Sequence, residues 1–163
     1  AKLAELINVT NPSYADKYYQ LTNDIDLSAY GEGFNSGKGW IPIGTTESFS
    51  FRGTFDGNNK KITGLYINST EQNSGLFGYL YSGTVKNLGL EKVSITGGIS
   101  VGGVAGNVDS GSSVASCYVT GSVSGYLNVG GIAGFANGSI TNCHVTGTVS
   151  GTSGTSNNCI CII

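Results

Sequence analysis

From Ser74 onward, apolar residues alternate with Ser, Thr, Asn and Gly at a period of two. This is the patterning of half-buried strands, and nothing in that part of the chain has the helical period of 3.6. The alternation comes in copies. Ser74-Gly75-Leu76-Phe77-Gly78 returns as Gly102-Gly103-Val104-Ala105-Gly106 and again as Gly130-Gly131-Ile132-Ala133-Gly134. The steps from Gly75 to Gly103 and from Gly103 to Gly131 are equal, at about 28 residues, a period in the range of stacked repeats. Each block is followed by a second apolar-polar segment: Thr84–Leu90, Ser113–Val119 and Ser139–Val145. A third segment closes the unit: Val93–Gly97, Thr120–Gly125 and Thr146–Gly151. Three short strands per repeat, separated by Gly and Asn corners, predict one coil of a parallel β-solenoid.

The repeats assign inward positions. Leu76, Val104 and Ile132 share one slot, Leu88, Cys117 and Cys143 a second, and Leu90, Val119 and Val145 a third. With coils about 4.8 Å apart, each slot becomes a ladder of touching side chains. The paired glycines are expected at sharp corners, in positive-φ conformations closed to β-branched residues. The expected architecture is an all-β, right-handed parallel β-solenoid (β-helix) of roughly five coils.

Ahead of the repeats, Leu3, Leu6 and Ile7 stand at helical spacing, so a short helix over residues 1–9 is predicted to cover the open solenoid end. Leu21, Ile25 and Leu27 are expected inward on the first strands. Residues 28–39 form a surface loop. Trp40 then opens a coil through Phe49, Phe51 and Phe55 to the Asp56-Gly57-Asn58-Asn59 turn, and Ile62, Leu65 and Ile67 continue inward. The expected organisation is a single domain, 1–163, with an N-terminal cap (1–19), divergent coils (20–72), three repeats (73–151) and an irregular tail (152–163). The tail around Cys159 and Cys161 reads as a shortened copy of Ser139–Thr146.

At these residues the chain resembles the GLUG-motif repeat family of bacterial surface and adhesin-like proteins. The Gly-Leu-aromatic-Gly signature stands as Gly75-Leu76-Phe77-Gly78, with Ala105 and Ala133 in place of the aromatic in the later copies. Trp40-Ile41-Pro42-Ile43-Gly44 and Phe51–Gly57 resemble the segments that precede such repeats, so the resemblance runs from about residue 20 to 151. It implies a non-catalytic module, since related repeats also occur in the N-terminal regions of IgA-cleaving metallopeptidases. Their His-Glu-x-x-His metal motif is absent here, so the peptidase activity does not carry over.

Composition narrows the function further. Charged residues are 11% of 163, the net charge is −2, and no basic face exists for nucleic acid. No apolar run is long enough for a membrane span, and no leader is legible; starting abruptly at Ala1, the chain reads as a mature fragment or as a piece cut from something larger. The 27 glycines lack a collagen triplet and suit a turn-dense β fold. Cys117 and Cys143 read as stacked buried thiols, with a disulfide between them the lesser alternative. Cys159 and Cys161 lack the partner spacing of a zinc site.

All ten carboxylates and eight basic residues lie at or before Asp109, which leaves only His144 for acid–base chemistry beyond it. His144 falls in the outward slot of Tyr118 and Gly89, pointing away from Cys143, so a Cys–His nucleophilic pair is disfavoured. Asp24 and Asp26 alternate on one strand and are the candidates for calcium or for glycoside hydrolysis. Surface hydration or local backbone binding is the stronger reading for them and for the Asp56 turn. No catalytic, metal or cofactor residue is assigned.

Two function classes remain: an extracellular scaffold or adhesion module, and a carbohydrate-binding module or accessory domain of a secreted peptidase or glycan-degrading enzyme. The candidate ligand-contact aromatics of the second are Tyr18, Tyr30, Trp40, Tyr118 and Tyr126, with Trp40 better suited to the core. The aromatics do not recur in one slot, which favours the scaffold. A weaker third reading is ice binding by Thr120, Ser122 and Ser124 over Thr146, Thr148 and Ser150. Expected partners are a host or cell-wall glycan or protein and other domains of a larger parent chain.

Overall fold

A computed structural model describes residues 2–10 and 14–153. The chain is a parallel β-solenoid of about four turns with one short N-terminal helix. Every ladder between its strands is parallel: β1 (Tyr18–Gln20), β2 (Ile25–Asp26), β3 (Thr54–Thr63), β4 (Tyr66–Asn68), β5 (Phe77–Leu80), β6 (Thr84–Gly102), β7 (Ala105–Val108), β8 (Ser113–Ala115), β9 (Tyr118–Gly130), β10 (Ala133–Ala136), β11 (Ser139–Thr141) and β12 (His144–Gly151). One sheet carries nine strands along β1-β3-β6-β8-β11, with β2, β4, β9 and β12 joined to it. A second stacks β10-β7-β5.

The expectation of roughly five coils is corrected to about four. Residues 28–53 contain no regular strand, only short 3-10 turns and isolated bridges, so the first coil consists mostly of loop.

The repeat register holds residue by residue. Phe77, Ala105 and Ala133 are partners in successive rungs, as are Val85, Val114 and Ile140. The coils are not of equal length: the step from Gly89 to its partner Tyr118 is longer than the step from Tyr118 to its partner His144. Corner loops absorb the difference while the inward slots stay aligned. Leu76, Val104 and Ile132 are 2%, 0% and 0% exposed. Leu88, Cys117 and Cys143 are also buried, and Cys117 and Cys143 are free thiols.

Where the first signature has Phe77, the core is wide. Phe77 packs at 5.0 Å from Phe51 and 5.3 Å from Phe55, ring centre to ring centre. In the rungs above it the same inward position is taken by Ala105 and Ala133, both fully buried. Phe51, Phe55, Ile62, Leu65 and Ile67 are inward, but Phe49 is 47% exposed on the outer surface. Leu27 is buried, whereas Leu21 and Ile25 are half-covered at the solenoid's end.

The N-terminal helical segment lies where it is expected, over residues 2–10, but only its first turn is α-helical. One α-helical turn, α1 (Lys2–Glu5), opens into a π-helical stretch, Leu6–Thr10. Ala4 and Ile7 enter the core. The Asn8 side chain pins the element down, donating to the Pro42 carbonyl and accepting from Gly44 N–H, each at 2.8 Å.

Gly75, Gly103 and Gly131 stand at bends between strands, as expected of corners, but the expected left-handed conformation is corrected. None of Gly75, Gly78, Gly103, Gly106, Gly131 and Gly134 has a positive φ. They are small because the next coil's backbone passes too close: a Cβ on Gly75 would lie 2.7 Å from the Gly102 carbonyl oxygen, and one on Gly103 2.6 Å from that of Gly131. Left-handed backbone is stacked in two other columns, Asn59-Asn87-Ser116-Asn142 and Asn73-Ser100-Asn128, all with φ between 52° and 60°. Asn tolerates that conformation better than most side-chain-bearing residues, and stacking it in register makes the corners.

The tail 154–163, with Cys159 and Cys161, lies outside the described residues. No helix among the described residues is long and apolar enough to cross a membrane.

Candidate functional site

The outer face of the nine-stranded sheet carries one grouping of polar side chains. Strand register places Lys61, Gly89, Tyr118 and His144 in one outward column on β3, β6, β9 and β12. Glu91 follows Gly89 and Leu90 on β6. Because Gly89 has no side chain, the Tyr118 ring lies directly across it. From there its hydroxyl donates to Glu91 Oε1 at 2.9 Å, while Lys61 Nζ donates to Oε2 at 3.1 Å. His144 stacks on Tyr118 with ring centres 5.5 Å apart and planes 13° from parallel.

These contacts set the electrostatics. The Tyr118 hydroxyl, then Lys61, holds the Glu91 carboxyl below its usual range, and Glu91 raises Lys61. Partial burial, then the hydrogen bond to Glu91, raises the Tyr118 phenol. A carboxylate with both oxygens engaged and a depressed pKa is a poor general acid, and a phenol pushed upward is a poor nucleophile. The column is suited to contact by its rings.

Asp56 forms a second cluster. The residue is 7% exposed. Oδ1 accepts from the Asn58 N–H at 2.8 Å and Asn87 Nδ2 at 3.1 Å; Oδ2 accepts from the Tyr18 hydroxyl at 3.0 Å and faces Lys86 Nζ at 3.5 Å. Burial pushes this carboxyl up, but the Asn58, Asn87, Tyr18 and Lys86 contacts outweigh it and leave the pKa below its ordinary value. The Asp56 turn binds local backbone at Asn58, one of the two expected roles, while the other, a hydrated surface turn, is corrected: the carboxylate is an internal tie between coils.

Asp24 and Asp26 each bind backbone. Asp24 Oδ1 accepts from Lys61 N–H at 3.0 Å and Asp26 Oδ1 from Ser28 N–H at 2.8 Å, which lowers the Asp26 pKa. Among the described residues no three His, Cys, Asp or Glu side chains converge as a metal site.

The five aromatic candidates are dispersed. Tyr18 and Tyr126 are each 58% exposed. Tyr30 is half-buried, edge-on to Trp40 at 5.7 Å. Trp40 is 6% exposed, in the core, its indole N–H on the Leu76 carbonyl at 3.2 Å. Tyr118 is in the outer column. Only Tyr30 and Trp40 are brought together. Sequence reasoning misses Glu91 and Lys61, because they reach Tyr118 and each other across 27 and 30 residues of chain. The available signal is the Gly89 gap opposite Tyr118.

Residues 125–150 match the family described as the GLUG motif. The chain is 38% identical over 131 residues to halomucin of Haloquadratum walsbyi, spanning 79% of this chain and 1% of that one. It is 40% identical over 109 residues to a candidate Gly-rich membrane protein of Evansella cellulosilytica, 64% of this chain and 12% of that one. The crystal structure of a candidate immunoglobulin A1 protease from Bacteroides ovatus shares the fold, with TM-score 0.72 and 24% identity over 93% of this chain and 47% of that one. The chain thus spans less than half of each of these proteins. It carries a GLUG motif at residues 125–150, with two further blocks of the same pattern stacked in register on it.

Proposed function

We propose that this solenoid is a non-catalytic scaffold or adhesion segment of a larger extracellular or cell-surface protein. The observation that carries it is the state of its titratable groups. Glu91 and Asp56 are engaged on both oxygens, and Asp24 and Asp26 rest on backbone N–H groups. Each of these four carboxylates serves to tie the structure together, so none of the four is left free as an acid or base. The names of the relatives, a halomucin, a Gly-rich membrane protein and an immunoglobulin A1 protease, support a surface or accessory setting.

The outer face also fits short-range adhesion. Ser94-Ser122-Thr148 and Thr96-Ser124-Ser150 form hydroxyl columns on it, and no charged residue follows Asp109. Partners met there gain little from long-range attraction, so binding should change little with salt. The test is adhesion of beads coated with the domain to glycoprotein-coated and cell-wall surfaces at rising salt, run beside a polysaccharide-hydrolysis assay. Salt-insensitive adhesion without turnover is expected. Turnover that disappears in Asp24→Asn or Asp26→Asn overturns the proposal.

A further inference from the structure

The corners between strands in the repeats are short, for instance Tyr81–Gly83 and Asn137–Gly138. The first coil is different. Its 28–46 segment, with 3-10 turns at Ser28–Tyr30 and Asn35–Gly37, folds beside the Ser69–Ser74 turn, and the two enclose a groove of about 560 Å³. That volume falls within the roughly 300–1,000 Å³ of small-molecule sites. The walls are tied together: Asn73 Nδ2 donates to the Thr45 carbonyl at 3.2 Å, and Asn68 N–H to the Lys38 carbonyl at 2.9 Å. The groove is preformed, which lowers the ordering cost of binding.

We propose that this groove binds a neutral saccharide. Lys38 and Glu71 are the charged groups that line it, and they face each other at 3.4 Å, so an ionic ligand finds no unbalanced counter-charge. The remaining polar lining is amide and hydroxyl. Among the described residues the Asn35 and Gln72 amides and the Thr45 hydroxyl make no side-chain hydrogen bond, and each can both donate and accept, as vicinal sugar hydroxyls require. Ile41, 41% exposed, supplies an apolar surface for the C–H face of a sugar ring, and Trp40, 6% exposed, borders the groove from the core.

A peptide is the less suited ligand. Peptides commonly enter such sites by adding a strand to a free sheet edge. Here the bordering backbone is already paired: Trp40 N–H donates to the Tyr66 carbonyl at 2.8 Å and Asn73 N–H to that of Ile99 at 2.8 Å.

Trp40 is the one tryptophan of the chain, so its fluorescence reports on the groove. The whole domain is titrated with cellotriose, chitotriose, mannotriose and β-1,4-galactotriose as neutral probes, with trigalacturonate and a tryptic albumin digest alongside. At least one neutral trisaccharide is expected to change Trp40 emission saturably, with Kd below about 1 mM. Gln72→Ala and Asn35→Gly should each weaken it tenfold or more with an unchanged circular dichroism spectrum. Glycine accepts the positive φ of 52° at position 35, so that variant keeps the loop backbone. The proposal falls if no neutral probe acts, if only the uronate or the peptides bind, or if both variants bind like the parent. Its failure leaves bead adhesion untouched, whereas turnover of a polysaccharide in the hydrolysis assay would count against the scaffold reading and not against the groove.

Discussion

Replacing Ile132 tests the stacking on which the fold depends. Ile132 is fully buried in the Leu76-Val104-Ile132 column, and its carbonyl accepts from Val104 N–H at 2.9 Å and Ala105 N–H at 3.1 Å. Ile132→Ala deletes three buried carbons, about 2.4 kcal/mol at roughly 0.8 kcal/mol each. The residual cavity brings this to about 3 kcal/mol. At about 2–4 °C per kcal/mol for a chain of this size, the melting temperature should fall by about 6–12 °C. Ile132→Asp removes the same contacts and adds a carboxyl with no partner, so it should cost several kcal/mol more at neutral pH. The sign with pH follows. Burial raises the folded-state pKa of the new carboxyl above its unfolded value of about 3.9, so the extra cost is relieved as pH falls toward that value. Melting followed by circular dichroism at pH 7 and pH 4 should show Ile132→Asp far below Ile132→Ala at pH 7 and closer to it at pH 4. Ser122→Asp, exposed on the outer face of β9, is the control and should melt near the parent. An Ile132→Asp domain that melts within about 2 °C of the parent at pH 7, or a Ser122→Asp domain that loses as much, refutes the inward assignment.

Asp56→Ala strips partners from Asn58 N–H, Asn87, Tyr18 and Lys86, and should cost about 2–3 kcal/mol in urea unfolding; a midpoint equal to the parent's would show the tie to be idle. Because the Glu91 carboxyl is held below its ordinary value of 4.5, its contribution is present above that pH and is lost as pH falls through the folded-state value. The melting gap between parent and Glu91→Gln should therefore narrow below about pH 4.5, and a constant gap from pH 7 to pH 3 contradicts the Tyr118 and Lys61 contacts. Cys117 and Cys143, 1% and 4% exposed, should be labelled by iodoacetamide only once urea unfolds the chain, as read by peptide mass spectrometry; fast labelling of both in the native state argues against the inward slot. Gly103→Ala sets a methyl 2.6 Å from the Gly131 carbonyl oxygen, so the melting temperature should drop, whereas a positive-φ corner elsewhere, such as Gly111, should react to alanine through backbone strain without that contact.

Self-similarity makes the stack readable. When a block returns in the same order, identical slots are filled by Leu76, Val104 and Ile132, and pairing them in register is the arrangement that buries all three. The same logic places His144 outward beside Tyr118. Alternation at period two also separates inward from outward without reference to distant residues, which is why Leu88, Cys117 and Cys143 are legible as core positions. What the repeat cannot convey is how close the coils come and what lies across them. In one dimension the signature glycines look like left-handed residues. Only the stacked backbone shows that a Cβ there would collide with the neighbouring coil, and that the left-handed corners fall to Asn and Ser columns instead. Asp56 looks like a solvated turn until Tyr18, Asn87 and Lys86 arrive from other coils to satisfy it. Lys61, Glu91 and Tyr118 belong to three different rungs and carry no shared motif. The groove beside Trp40 arises where an irregular loop meets the turn of the next coil, outside the repeat pattern altogether. Periodicity determines what stacks; the contacts between unlike segments exist only once the coil has closed.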